Sequence, residues 1–319
     1  MKNRANEDIF ADSYEVYIEL TNRCNLSCAY CYAELGGRVY KGRRVMPMDL
    51  DFGKIKEMLL DMKANMKKPW FIDLAGGEPT LYPHLMELLR FIGEYIGVPT
   101  SLYTNGTMIT EKMAKEFADI QKTYDFTVLI SIDSFNPQVN NTYRGKTERA
   151  LSSVEILHNA GVGMELSFTP VQSDFRESFE KAKKYDIQKI RVNSLRPSAT
   201  GEFDYIKYRQ YMRKETFEAM DKAGKEIGIG VLLPKLVETC NAGLKRIAVY
   251  ADGSVSTCYI LRNHIVGNIN ERKLSDIVAE TMEANRMLAI GRSPICLRGH
   301  MDTAEQLSKG NHNKSISMN

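Results

Sequence analysis

The sequence predicts an α/β protein that is built on a parallel sheet. Short apolar runs, typical of buried strands, alternate six times with segments of helical periodicity. Such alternation is typical of parallel strands joined by right-handed helical crossovers. Eight units would close a complete barrel. Six units therefore leave two architectures open, a partial barrel and a doubly wound open sheet.

Each of the six units begins with a strand and continues into a helix. The strands are expected at 14–19, 70–75, 99–104, 126–133, 162–169 and 189–195. The helices are expected at 48–66, 81–96, 109–122, 148–161, 174–186 and about 205–227. Gly161 is typical of a residue at which a helix stops. After these units, Asp252 and Gly253 predict a hairpin turn, and a further helix is expected at about 273–285.

The chain is long enough for one large and one small domain. We expect a short extension at 1–13, a large α/β domain at 14–230, a small α+β domain at 231–303 and a disordered polar tail at 304–319. No apolar run approaches the length of a membrane span, and the N-terminus lacks the apolar core of a signal peptide. These features predict a cytoplasmic protein.

The charge pattern argues against a nucleic-acid-binding protein. The formal net charge is only +3, and acidic and basic residues are interleaved along the chain. Nucleic-acid binding requires a clustered basic face. We therefore expect no nucleic-acid partner and no membrane partner.

Chemically useful residues follow the predicted strands, at the point where each strand ends. Parallel α/β sheets bind ligands at this edge, because the loops that follow the strands converge there. In chain order the residues are Cys24 to Cys31, Gly76 to Pro79, Thr104 to Gly106, Ser131 and Asp133, Thr169 and Pro170, and Asn193 to Pro197.

Three cysteines after the first strand form the motif CNLSCAYC. Cys24, Cys28 and Cys31 supply three thiolates, and a four-iron cluster held by three thiolates keeps one iron without a protein ligand. That iron can bind and reduce a small molecule. The alternative is a zinc knuckle, but structural zinc takes four ligands, and no fourth cysteine or histidine lies nearby in the sequence.

This cysteine spacing, with Tyr30 directly before Cys31, resembles that of the radical S-adenosylmethionine (SAM) enzymes. The resemblance implies a 4Fe–4S cluster on the three early cysteines, with SAM on its open iron. It also implies reductive cleavage of SAM to a 5′-deoxyadenosyl radical, which abstracts hydrogen from a substrate. For the fold, it favours a partial (β/α)6 TIM barrel over a doubly wound sheet.

The same resemblance assigns roles to residues at the sheet edge. It implies that GGEP (76–79) binds the SAM amino group, that the strand end SID faces the methionine carboxylate and the ribose, and that YRG supplies an arginine for the carboxylate. The alternatives are a Gly-Gly turn, an ordinary strand end and a surface arginine. The implied SAM-binding residues are Tyr30, Gly76, Gly77, Glu78, Asn105, Ser131, Asp133 and Arg144.

The three late cysteines indicate a second site. The predicted hairpin places Cys258 near Cys240, and Cys296 follows the last helix. This arrangement resembles the SPASM/Twitch extension of radical SAM enzymes, which holds an auxiliary iron–sulfur cluster. Because the further cysteines of a full SPASM domain are absent, the shorter Twitch form is expected. Either one iron stays open or His300 or Asp302 completes the ligand set. A zinc site with Cys240, Cys258, Cys296 and His300 is the rival interpretation.

Assignment of all six cysteines leaves no thiol to return a hydrogen atom to a substrate radical. We therefore expect oxidation or bond formation on a peptide, such as the precursor of a ribosomally made natural product, or on a small molecule. The alternatives are an epimerase or dehydrogenase acting on an aminosugar or cofactor precursor, and a non-catalytic protein with structural zinc. The expected partners are an electron donor such as flavodoxin or ferredoxin and, since only about a dozen residues precede the first strand, a separate leader-peptide-binding protein.

Overall fold

A computed structural model describes residues 13–40, 42–172, 175–196, 198–234, 242–260, 262 and 264–287. Its main feature is a mixed sheet in which seven successive strands run parallel. They are β1 (Tyr14–Thr21), β4 (Trp70–Gly76), β5 (Thr100–Thr104), β6 (Phe126–Ser131), β7 (Met164–Phe168), β8 (Lys189–Val192) and β9 (Gly230–Leu232). The six predicted strands are confirmed, and β9 adds a seventh. The sheet is consistent with a partial TIM barrel.

The predicted hairpin forms around Gly253, and it continues the large sheet. Strand β10 (Arg246–Val249) pairs in parallel with β1, β11 (Ser254–Ser256) pairs antiparallel with β10, and β12 (Ile265–Asn268) pairs antiparallel with β11. The sequence did not indicate the pairing of β10 with β1. An edge strand has unpaired backbone groups, and β10 satisfies those on the outer edge of β1.

Helices cover one face of this sheet. They are α1 (Phe52–Asn65), α2 (Leu85–Phe91), α3 (Glu111–Thr123), α4 (Pro137–Tyr143), α5 (Thr147–Asn159), α6 (Arg176–Lys184), α7 (Tyr205–Tyr208), α8 (Lys214–Ile227) and α9 (Leu274–Met287). A short hairpin of β2 (Val39–Tyr40) and β3 (Arg43–Arg44) follows the cysteine loop. No helix in the described ranges is both long enough and apolar enough to span a membrane.

Two helix predictions differ from the structure. The single helix expected at about 205–227 is divided into α7, a 3-10 turn at Arg209–Met212 and α8. In addition, α4 occupies a stretch between β6 and α5 for which no helix was expected. Its first residue is Pro137, and the Asn136 side chain accepts a hydrogen bond from the Gln138 backbone. Proline at the first helical position and asparagine before it are typical of a helix start.

The two faces of the sheet differ in chemistry. Because side chains alternate along a strand, Val16, Ile18 and Leu20 of β1 pack in the apolar core with the helices, while the intervening residues point to the other face. We call that second face the polar inner face. Its side chains include Glu15, Tyr17, Glu19, Asp73, Ser101, Tyr103, Glu165, Arg191 and Arg246.

Candidate functional site

The cysteine loop directly follows β1 and is held by backbone hydrogen bonds from two distant parts of the chain. The Ala29 N–H donates to the Tyr143 carbonyl at 2.8 Å, and the Ala199 N–H donates to the Cys31 carbonyl at 2.8 Å. Cys24, Cys28 and Cys31 are free thiols of intermediate burial. The loop therefore presents three thiols at the carboxyl edge of the sheet, where the sequence predicted them.

Burial opposes ionisation of these thiols. It raises the pKa of Cys24 to about 11 and that of Cys31 to about 12, and it also raises the pKa of Cys28. Neighbouring cysteines of the loop act in the same direction on Cys24 and Cys31, whereas Arg38 lowers the pKa of all three thiols. Metal binding requires thiolates, so a cation at this loop must displace protons.

The donor set fits an iron–sulfur cluster. In a four-iron cluster each cysteine thiolate binds a different iron atom, whereas a zinc ion requires its sulfur ligands about 2.3 Å from a single point. In the part of the chain that the structure describes, no group of three His, Cys, Asp or Glu side chains is arranged to hold a metal ion. Three soft thiols in one loop, with no fourth protein ligand beside them among the described residues, match a cluster with one open iron.

Asp133 is the centre of a buried hydrogen-bond network behind the cysteine loop. Its side chain is fully buried. Arg144 donates to both carboxylate oxygens, at 2.7 Å from Nε to Oδ2 and 3.2 Å from Nη2 to Oδ1. The Thr169 N–H donates to Oδ1 at 2.8 Å, and the Tyr30 hydroxyl donates to Oδ2. Four donors therefore saturate this carboxylate.

The network gives three of the predicted SAM-binding residues partners within the chain. Arg144 was expected to pair with the SAM carboxylate, but its guanidinium forms an ion pair with Asp133 and lies 5.4 Å from the centre of the Tyr30 ring. Tyr30 also contacts Phe203 edge-on. These contacts connect the cysteine loop to the ends of β6, β7 and α4. The predicted contacts of the three residues with SAM stay predictions.

Glu78 is the centre of a second buried network. Its Oε1 accepts hydrogen bonds from the hydroxyls of Thr80 and Thr104, both at 2.6 Å, and from the Thr80 N–H at 3.1 Å. Its Oε2 accepts from the Asn105 N–H at 2.7 Å. Burial raises the pKa of Glu78, and these hydrogen bonds act in the opposite direction. The carboxylate expected to receive the SAM ammonium thus joins the loops after β4 and β5.

Gly76 and Gly77 allow the loop after β4 to lie against the start of the cysteine loop. The Gly77 N–H donates to the Thr21 carbonyl and the Glu78 N–H donates to the Arg23 carbonyl, both at 2.7 Å. A Cβ on Gly77 would collide with the Arg23 carbonyl oxygen, and one on Gly76, whose φ is 132°, would collide with that of Thr21. Only glycine permits this approach without a shift of the backbone.

Asn105 belongs to a closed triangle of side chains. Its Nδ2 donates to Asn25 Oδ1 at 2.9 Å, Asn25 Nδ2 donates to Thr107 Oγ1 at 2.8 Å, and Thr107 Oγ1 donates to Asn105 Oδ1 at 2.7 Å. Since Asn25 directly follows Cys24, the triangle fastens the cysteine loop to the end of β5. Ser131, the last residue of β6, is half-buried and lies opposite Ser167 of β7.

Sequence reasoning missed two residues near the thiols. One is Asn25 of the triangle, for which the motif CNLSC carries no separate signal. The other is Arg38, which donates to the Leu26 carbonyl and lowers the pKa of the three thiols. Arg38 precedes β2, and its approach to the loop depends on the β2–β3 hairpin turning the chain back.

The second cysteine site is only partly described. Cys258 is buried beyond β11, where its carbonyl accepts a hydrogen bond from the Tyr250 hydroxyl at 3.2 Å. The other predicted auxiliary ligands, Cys240, Cys296 and His300, lie outside the described residues. The ligand set of the auxiliary site therefore stays a prediction, as does its Twitch form.

Comparison with protein families gives two matches. The family described as the radical SAM superfamily matches residues 18–182. The family described as SPASM, an iron–sulfur cluster-binding domain, matches residues 240–299. The first match covers the cysteine loop and both buried networks, and the second contains all three late cysteines.

Two relatives show the range of the similarity. The antilisterial bacteriocin subtilosin biosynthesis protein AlbA of Bacillus subtilis (strain 168) is 25% identical over 268 residues, which are 79% of this chain and 56% of AlbA. The mycofactocin maturase MftC of Mycolicibacterium smegmatis is 30% identical over 191 residues, which are 57% of this chain and 45% of MftC. The chain thus spans about half the length of each of these relatives.

A solved structure has a similar fold. The crystal structure of Streptococcus suis SuiB bound to S-adenosylmethionine matches with a TM-score of 0.65 at 16% sequence identity, covering 83% of this chain and 65% of that one. At this identity the similarity concerns the fold alone, and it agrees with a partial barrel that is extended by C-terminal hairpins.

Proposed function

The chain belongs to the radical SAM superfamily and carries a SPASM iron–sulfur cluster-binding domain, and from this premise we propose that it modifies a peptide. Its cofactors are SAM, a 4Fe–4S cluster and an auxiliary iron–sulfur cluster. In the proposed reaction, reductive cleavage of SAM gives a 5′-deoxyadenosyl radical, which abstracts a hydrogen atom from the peptide. The observation that carries the radical chemistry of this proposal is the three-thiol loop, fastened on several sides at the carboxyl edge of the parallel sheet.

The residues around the loop hold it in one position. Cys24, Cys28 and Cys31 are the proposed cluster ligands, and Arg38 supplies a positive charge that favours their thiolate forms. When bound, the cluster and SAM together supply an electron and a hydrogen-abstracting radical. Such chemistry requires reacting groups in a fixed geometry.

The Asp133 network and the triangle of Asn25, Thr107 and Asn105 provide that geometry. Asp133 fixes Tyr30 on one side of the loop, and the triangle of Asn25, Thr107 and Asn105 fixes the other side. Because these contacts exist within the chain itself, the loop is organised before a substrate binds. Ser131 and the backbone of Gly76 and Gly77 are our first candidates for direct contact with SAM. The predicted SAM contacts of the other residues stay predictions as well; these residues are Tyr30, Glu78, Asn105, Asp133 and Arg144.

Two considerations favour a peptide substrate and an oxidative outcome. AlbA is named for bacteriocin biosynthesis and MftC as a maturase, and both names fit the modification of a precursor. If all six cysteines bind clusters, no thiol is left to return a hydrogen atom to the substrate radical. The auxiliary cluster would instead accept one electron from the substrate radical while that radical loses a proton, with net dehydrogenation or formation of a crosslink.

The reaction also requires partners. An electron donor such as flavodoxin or ferredoxin would reduce the cluster, and a separate protein would present the leader segment of the peptide. Product analysis in deuterated water separates oxidation from epimerisation. A product with inverted stereochemistry and one solvent deuterium would contradict the oxidative outcome.

SAM cleavage by reconstituted protein tests the core of the proposal. After anaerobic reconstitution with iron and sulfide, the protein should be brown, with absorbance near ~400 nm, and should release 5′-deoxyadenosine when SAM and a reductant are added. Cys28→Ala should abolish this release, whereas Ser27→Ala, an exposed change in the same loop, should leave it intact. Colourless, zinc-replete protein that releases no 5′-deoxyadenosine would contradict the proposal.

A further inference from the structure

The short hairpin of β2 and β3 is fixed against the cysteine loop. Asn22, the residue after β1, donates through Nδ2 to the Met46 carbonyl and accepts through Oδ1 from the Met48 N–H, both at 2.8 Å. Arg38 donates to the carbonyl of Leu26, a residue of the cysteine loop. The hairpin is therefore a layer that touches the loop and is held in one position relative to the thiols.

One face of this hairpin is turned toward the chain around the cysteine loop. Tyr40 of β2 lies directly opposite Arg43 of β3, and directly opposite residues of paired strands share a face. Tyr40 is buried, and its hydroxyl accepts a hydrogen bond from the Leu35 N–H at 2.9 Å. Arg43 pairs with Glu34. The side chains of this face thus have partners within the chain.

The other face of the hairpin is open to solvent. Val39 lies opposite Arg44, and Met46 is on the same side as Arg44 because side chains alternate along a strand, with the buried Val45 between them. Val39 is 61% exposed and Met46 63%, the two highest values for large hydrophobic side chains in the described part of the chain. Arg44 is also exposed, and it belongs to no ion pair among the described residues. We call Val39, Arg44 and Met46 the outer hairpin face.

The chain around the outer hairpin face is positively charged. Positions 38–44 contain four basic residues and no acidic one. One of the four, Lys41, lies outside the described residues, and Arg43 stays 66% exposed in its pair with Glu34. Single exposed apolar residues are ordinary, but methionine and arginine together are enriched in protein interfaces. The outer hairpin face is therefore complementary to a partner surface that is acidic and partly apolar.

We propose that the outer hairpin face is the docking surface of the electron donor, an acidic one-electron carrier protein. The inference rests on the proposed function, because the radical reaction requires a reductant for the cluster. A donor docked here is separated from the cysteine loop by one layer of the chain. The donor loses one electron and the cluster gains it, and no atom or proton is exchanged at this surface.

Two observations favour an electron donor over the peptide as the occupant. The face is small, and electron-transfer partners form small, short-lived interfaces, whose association is accelerated by opposite charges. The face also belongs to an element that touches the cysteine loop. An electron can cross one layer of protein, whereas hydrogen abstraction requires the peptide itself to contact the radical.

Binding of an acidic flavodoxin tests the surface without turnover. Oxidised flavodoxin should bind anaerobically reconstituted protein in titration calorimetry, and added salt should weaken the binding because it screens the charges. Arg44→Glu should weaken the binding about tenfold and reduce its dependence on salt. Val39→Ser should also weaken it, because it removes apolar contact area. Equal binding by the wild type and Arg44→Glu would overturn the proposal.

Two matched variants control for changes elsewhere on the surface. Arg149→Glu reverses the charge of an exposed arginine on α5, and Leu60→Ser removes an exposed apolar side chain on α1. Both should bind flavodoxin as the wild type does. If Arg149→Glu weakens the binding as much as Arg44→Glu does, net charge rather than the outer hairpin face attracts the donor, and the proposal is overturned.

A comparison of two reductants tests electron delivery. With dithionite, a small reductant that needs no docking surface, Arg44→Glu and Val39→Ser should release 5′-deoxyadenosine at the wild-type rate. With reduced flavodoxin at limiting concentration, Arg44→Glu should release it about tenfold more slowly. An equal loss with both reductants would overturn the proposal, since the face would then only support the cysteine loop. Normal release with flavodoxin but loss of peptide modification would also overturn it, because the face would then bind the peptide.

The dithionite experiment also separates this proposal from the proposed function. Wild-type protein that releases no 5′-deoxyadenosine with dithionite contradicts the proposed function, and the calorimetry still tests the docking surface. Wild-type protein that releases 5′-deoxyadenosine with dithionite but binds neither flavodoxin nor an acidic ferredoxin overturns the docking proposal alone.

Discussion

Asp133 and Asp73 are both buried aspartates of one parallel sheet, yet their environments are opposite. Asp133, just beyond β6, receives four hydrogen bonds from the chain itself. Asp73, in the middle of β4, has one oxygen, Oδ1, that has no hydrogen-bond partner among the described residues. The carboxyl edge of the sheet is therefore a completed scaffold that holds the cysteine loop, whereas the inner face contains an unsatisfied buried carboxyl oxygen. Asp133→Asn should therefore lower the free energy of unfolding, whereas Asp73→Asn should raise it at pH 8, because burial raises the pKa of Asp73 to about 7 and disfavours its charged form.

Asp133→Asn should produce the largest effect. It leaves Arg144, whose side chain is only 10% exposed, without a counter-charge. Removal of one partner from a buried ion pair lowers the free energy of unfolding by about 3–5 kcal/mol, which urea unfolding of the metal-free protein would measure. Asp119→Asn, in an exposed pair with Lys122, is the matched control and should have little effect. If Asp133→Asn lowers the free energy of unfolding only slightly, or raises it as Asp73→Asn is expected to do, the two regions do not differ in this respect.

Gly77→Ala should produce the next largest effect, because its new Cβ would collide with a backbone carbonyl that cannot turn away. Overpacking of this kind costs about 3 kcal/mol at the upper end of its usual range. The change should also lower the iron content after reconstitution, since it moves the cysteine loop. Gly163→Ala is the matched control: its Cβ would lie 3.5 Å from Gln121 Oε1, an ordinary contact. Similar iron content in the two variants would show that the loop tolerates displacement.

Glu78→Gln should have a smaller effect. The amide of glutamine cannot accept hydrogen bonds through both of its polar atoms, so one donor among Thr80, Thr104 and Asn105 loses its acceptor. An unsatisfied buried donor costs about 2 kcal/mol, measurable by the same urea titration. Glu57→Gln, in an exposed pair with Lys54, provides the baseline. If Glu78→Gln lowers the free energy of unfolding no more than Glu57→Gln does, water or a rearranged side chain replaces the lost acceptor.

Much of the site could be predicted because the sequence carries it locally. The three cysteines lie within eight residues of one another, and the strand ends follow from apolar runs that are bounded by glycine and polar residues. The period-two alternation of Glu15, Tyr17 and Glu19 in β1 also indicates a polar second face.

The other features of the site depend on contacts between residues that are far apart in the sequence. The pairing of Arg144 with Asp133 requires α4 to turn the chain back, and α4 was not predicted. GGEP was interpreted as a ligand-binding element, and its glycines are also required by the approach of Thr21 and Arg23, which no sequence pattern reveals. Likewise, only the three-dimensional structure shows that the charges around Asp73 pair with one another and that Asp73 Oδ1 has no hydrogen-bond partner among the described residues.

The parallel pairing of β1 with β10 has a consequence for biosynthesis. Glu15 and its partner Arg246 are separated by 231 positions along the chain. As the chain leaves the ribosome, β4 can join one side of β1 early, but the other side has no neighbour until most of the polypeptide has been made. Strand β1, which leads into the cysteine loop, is therefore among the first strands to be synthesised and among the last to be paired on both sides. We therefore expect iron and sulfur to enter the finished loop at the end of translation or later.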